Sequence, residues 1–132
     1  MKNTIKAIVL GLGLSLFAGG AQAIDCPTLK NVATHIANKH LNVQDTFTNN
    51  IIEGARGAFA LNLKDGEVYA YIGLSGHLYN LAYENPGQNP VDVFYNNCQK
   101  DGAEPTTLGL TLAGKYWVNE VDKQQRQQQQ QK

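Results

Sequence analysis

Two cysteines, Cys26 and Cys98, are the strongest constraint that this 132-residue chain places on its own fold. Their weight comes from what precedes them. Lys2 and Lys6 open the chain, an apolar run extends from Ala7 to Ala18, and Ala21-Gln22-Ala23 supplies the small-x-small pattern of a leader cleavage site. The run is too short to cross a bilayer comfortably. The expectation is a signal peptide over residues 1–23, cleavage after Ala23, and a periplasmic or secreted product starting at Ile24. An uncleaved anchor is the alternative. A lipoprotein is disfavoured because Asp25, not a small residue, precedes Cys26. In an oxidising compartment two thiols become a bridge. A Cys26–Cys98 disulfide would close a loop of about 70 residues and add about 4 kcal/mol in chain-entropy terms. That is a large share of a small domain's net stability of ~5–15 kcal/mol. The rival reading, a reactive thiol, finds no C-x-x-C pattern, and Cys98 sits in the polar stretch "NNCQKDG".

Residues 24–132 suffice for one domain with one modest core, assigned here to 24–122. They carry nine Lys and Arg against eleven Asp and Glu, a net charge of −2. This argues against a nucleic-acid partner, which calls for a concentrated basic face, and against electrostatic binding to a membrane once the leader is removed.

The chain after Cys26-Pro27 reads as a helix. Leu29, Val32, Ala33, Ile36, Ala37 and His40 share one face, and Asn42 marks a stop. Residues 42–57 mix Phe47, Ile51 and Ile52 with glycines and asparagines, and read as a loop with room for a short strand or a helical turn. The stretch "AFALNLKDGEVYAYIGL" reads as a β-hairpin about Asp65-Gly66, with Leu63 facing Val68, Leu61 facing Ala70 and Phe59 facing Ile72. Lys64 would then pair with Glu67 across the turn. A Ser75-Gly76 turn would lead into a further strand, "HLYNLAY". After a loop at 84–90, "VDVFY", "TTLGLTL" and "KYWVNEV" continue as strands. The glutamine-rich tail, 123–132, offers no apolar surface and reads as disordered. The expected fold class is α+β: an N-terminal helix on an antiparallel meander of five or six strands, held by one disulfide.

Little in the residues asks for catalysis. "GLSGH" lacks the last glycine of G-x-S-x-G and its strand–turn–helix setting, so Ser75 reads as a turn residue. His35 and His40 are five apart and do not share a helix face as a metal pair would. The carboxylates are scattered. The remaining constellation is His77 with Tyr79 and Tyr83, an aromatic face suited to a flat apolar ligand, with His or Tyr as an axial ligand if that ligand is heme. Six tyrosines in so short a chain suit recognition. The leading expectation is a non-catalytic binding module for a small apolar ligand or a protein partner.

Two stretches carry a resemblance. "IDCPTLKNVATHI" and "VDVFYNNCQKDG", the latter followed by "LGLTL", resemble small exported proteins of gammaproteobacterial intracellular pathogens. Some of these are hemin-binding and others of unknown function. The resemblance implies a secreted protein able to bind heme, without designating a heme ligand. "SGHLY" is similar to the S-G-x-x-Y motif of periplasmic lysozyme inhibitors, which implies an enzyme inhibitor acting through the Ser75–Tyr79 stretch.

Overall fold

The computed structural model describes residues 24–130. The expected signal peptide, residues 1–23, lies outside the described residues. The described chain forms five helices: α1 Cys26–Lys39, α2 Phe47–Ala60, α3 Asp65–Glu84, α4 Pro90–Asp101 and α5 Ala103–Gln130. Among the described residues there is no strand. The α+β expectation, with its meander of five or six strands, is therefore wrong beyond the first helix.

The first helix forms as its pattern requires. Asp25 caps it by accepting from the Thr28 amide at 2.9 Å. That bond to Thr28 lowers the Asp25 pKa. Pro27 fits the first turn, and Leu29, Val32, Ala33 and Ile36 form its buried face. Cys26 is bridged to Cys98 with Cα atoms 5.8 Å apart. The bridge is as expected, but its far end is the last turn of helix α4, not the end of a strand.

Residues 42–57, read as a loop with at most a short strand or a helical turn, instead contain most of α2. Thr46 caps this helix by accepting from the Asn49 amide. Asn50 is buried, at 2 % exposure, and holds the α1–α2 connection. Its amide nitrogen donates to the carbonyls of Asn42 and Thr46, while its oxygen accepts from the Asn42 amide. The supposed hairpin turn is a helix–helix junction. Asn62 takes the left-handed conformation (φ 59°) after α2. The Asn62 and Leu63 amides then donate to the Phe59 and Ala58 carbonyls, which closes the helix end. Asp65-Gly66 begins α3. The Lys64–Glu67 link is real but has another form: the Glu67 carboxylate accepts from the Lys64 backbone amide at 2.8 Å.

Helix α3 lies at the centre and touches all four others; around it run α1, α4, α5 and α2. Its residues 70–76 are buried without interruption. Such a helix has no polar stripe, and the every-second-residue apolar pattern that suggested strands is one part of an all-round apolar surface. One cluster, including Leu29, Ile36, Tyr71, Leu74 and Phe94, packs around α1, α3 and α4. A second places Ile51, Ile72 and Val121 among α2, α3 and α5, with Phe47 and Trp117 against it.

Glycines let the central helices approach closely. A Cβ on Gly73 would lie 1.9 Å from the Leu110 carbonyl oxygen, and one on Gly114 would lie 1.9 Å from that of Tyr69. Backbone touches backbone where α3 crosses α5. In α5 the leucines do not share a buried face: Leu110 is buried, while Leu108 and Leu112 are exposed. The glutamine-rich segment, expected to lack structure, continues α5 to Gln130. It is exposed over 122–129, with an Asp122–Arg126 ion pair one turn apart. Among the described residues no helix is long and apolar enough to cross a membrane.

Candidate functional site

A half-open cleft of about 330 Å³ lies where α3, α4 and α5 meet. His77 contributes from α3, Phe94 and Asp101 from α4, and Thr106, Ala113 and Trp117 from α5. Phe94 is fixed by burial at 1 % exposure, and the His77 ring stands edge-on to it at 5.9 Å. Trp117 reaches the cleft because Gly76 leaves room: a Cβ there would sit 2.6 Å from the indole. Phe47 meets the Trp117 ring edge-on at 5.1 Å. The bridged Cys98 forms part of the α4 wall, so the disulfide ties that wall to α1.

The polar groups are few. The Thr106 hydroxyl donates to the Gly102 carbonyl at 2.6 Å, and the Thr106 amide donates to the same oxygen at 3.2 Å. Gly102 takes φ +100° and separates α4 from α5. Burial lowers the His77 pKa, with Glu84 opposing, so the imidazole is held neutral at ordinary pH.

Of the residues singled out from sequence, His77 lines this cleft, and Tyr79 and Tyr83 are not among its lining residues. On a helix, positions two apart differ by about 200°, so His77 and Tyr79 point to opposite sides of α3. Tyr79 instead packs edge-on against Phe47, and its hydroxyl donates to the Asp45 carbonyl at 3.1 Å. Tyr83 stacks on Tyr79 one turn on, with centroids 6.3 Å apart and rings nearly parallel, and is 72 % exposed. Ser75 is inside α3, buried at 1 %, with its hydroxyl donated to the Tyr71 carbonyl. The whole S-G-x-x-Y stretch is thus helical, and its first two residues face neighbouring helices.

A second cluster lies under the end of α1. His40 Nε2 and the Tyr71 hydroxyl share a hydrogen bond of 3.1 Å, and His35 stands edge-on to the same phenol. Burial pushes the Tyr71 phenol up to about 12. Burial also lowers His40, with nearby His35 adding to the effect against the opposing Glu53 carboxylate and the His40 backbone hydrogen bond. The buried Nδ1 of His40 has no hydrogen-bond partner among the described residues. Gly57 leaves room for this pair, since a Cβ there would come within 3.1 Å of both. Among the described residues no group of three or more His, Cys, Asp or Glu is placed to hold a metal ion.

Sequence reasoning missed Phe94, Asp101, Thr106 and Trp117, because it placed them on separate strands and turns. The available signal was the pair Gly73 and Gly76, three apart on one helix face and followed by the chain's single tryptophan. Comparison of the chain with protein-family models, with curated proteins and with solved structures gives no match.

Proposed function

We propose that this chain is an exported, non-catalytic binding module whose ligand seat is the α3–α4–α5 cleft. The disulfide supports a site of action in the periplasm or outside the cell, where such bridges persist. The observation that carries the reading is the cleft itself: apolar walls from Phe94 and Trp117, with a small number of polar groups converging between them. Its volume is near the lower end of the range for small-molecule sites, ~300–1,000 Å³. The walls are pre-formed, because Phe94 is locked in the core and Trp117 packs against both Gly76 and Phe47. A rigid seat loses little entropy on binding.

The test uses Trp117, the only tryptophan, as reporter. A screen of small aromatic and aliphatic compounds by intrinsic fluorescence should yield ligands that quench or shift its emission. Gly109 lines the cleft, and a Cβ there would meet no atom within 4 Å. Gly109→Phe should fill the cleft without disturbing the fold and abolish those responses. Full binding to this variant would place the seat elsewhere.

Heme is a second reading, favoured by one observation: His77 borders the cleft in its neutral form, the form that ligates iron. Hemin titration should then give a Soret shift that His77→Ala removes. An unchanged shift in the variant would eliminate His77 as the ligand.

A further inference from the structure

The charge around the cleft narrows the ligand class. Among the described residues, Asp101 is the single formally charged side chain lining it; neither lysine nor arginine does. Asp101 ends α4, where exposed carbonyls give a helix terminus partial negative charge. The adjoining start of α5 would ordinarily attract anions, but here it offers little to one. Pro105 has no N–H, and the Thr106 amide and hydroxyl are both committed to the Gly102 carbonyl. Nor does the neutral His77 supply positive charge. Trp117, half-buried at the cleft, is the aromatic side chain with surface to offer there, and an aromatic ring favours a cation over an anion.

We propose that the cleft takes a small organic cation, an ammonium group on an aromatic or branched apolar body, with Asp101 beside the charge and Trp117 against the body. This rests on the cleft being a ligand seat, as proposed above. The body supplies most of the affinity by burying apolar surface. The charge supplies selectivity, and an exposed carboxylate contributes modestly to it.

Three probes of similar shape separate these contributions: phenethylamine, phenethyl alcohol and phenylacetate, titrated near neutral pH and followed by Trp117 emission and calorimetry. The amine should bind about fivefold more tightly than the alcohol, the size of effect one partly solvated ion pair gives. The carboxylate should bind weakest. Asp101 is exposed, so Asp101→Asn should fold normally. It should bring the amine to the affinity of the alcohol and leave the alcohol unchanged. Equal affinities for all three, tighter binding of phenylacetate, or an amine preference that survives Asp101→Asn would overturn the cation assignment and leave the cleft as a neutral seat. If none of the probes disturbs Trp117, or if Gly109→Phe binds them as well as the unaltered protein, the seat itself is wrong and the cation assignment goes with it.

Discussion

Gly73 of α3 and Gly114 of α5 face each other at the helix crossing, each occupying the only space the other's backbone leaves. A Cβ on either would lie 3.1 Å from the other's amide nitrogen and 1.9 Å from a carbonyl oxygen of the opposing helix. Carbonyls cannot rotate aside as side chains do, so the helices would have to separate. Gly114→Ala should cost on the order of 3 kcal/mol, at the upper end for overpacked cores. Gly109→Ala, in the same helix but in open space, should be neutral or stabilise by up to about 1 kcal/mol. Urea unfolding of the two variants gives the comparison. Equal stability would mean that the crossing is looser than described.

The bridge between Cys26 and Cys98 spans 72 residues and joins the first turn of α1 to the last turn of α4. By chain entropy its reduction should lower stability by about 4 kcal/mol. Thermal melts with and without a reductant should show a drop of many degrees. The cleft wall formed by α4 should loosen with it, weakening ligand responses at Trp117 below the melt.

All three histidines are held below the ordinary imidazole pKa of 6.5, each mainly by burial. The unfolded chain therefore binds more protons than the folded one just below that value. Stability is fully present above pH 6.5 and falls as the pH drops through the folded pKa values. Denaturant midpoints at pH 7.5 and 5.5 should differ accordingly. His40→Gln and His77→Gln should each reduce the difference; a midpoint that rises on acidification would contradict the burial of these rings.

At the alkaline end the sign is opposite. Tyr71 ionises only near 12 in the folded protein, against an ordinary value of 10.0. Its neutral phenol contributes stability that is complete below pH 10 and lost as the pH rises through 12. Absorbance titration should show a late-ionising tyrosine that is missing in Tyr71→Phe.

Asn50 replaces three backbone partners at the α1–α2 connection while buried at 2 %. Asn50→Leu leaves the Asn42 amide and two carbonyls without these bonds and should cost about 2–3 kcal/mol, readable in the unfolding midpoint. Asn49→Ala, exposed on the same helix, should change little.

Sequence by itself determined the pieces whose cause is local. The first helix follows from an apolar stripe of period 3.6 beside Asp25 and Pro27. The disulfide is legible because the sequence holds two cysteines and neither belongs to a C-x-x-C pattern. His77 could be picked out from the sequence and does line the α3–α4–α5 cleft, but the other lining residues could not be. The rest belonged to tertiary structure. Asp65-Gly66 is compatible with either a hairpin turn or a helix start; the carboxylate of Glu67 closing on the Lys64 amide selects the second. Residues 68–74 alternate as a strand would, yet a helix enclosed by four others is apolar on every side and shows no period of its own. Glycines 54, 57, 73, 76 and 114 look like helix breakers until the atoms that fill their missing side chains are in place. Helix propensity counts against each of them by about 1 kcal/mol. Only close approach between helices, which involves residues far apart along the chain, reverses that balance and brings Trp117 to the cleft.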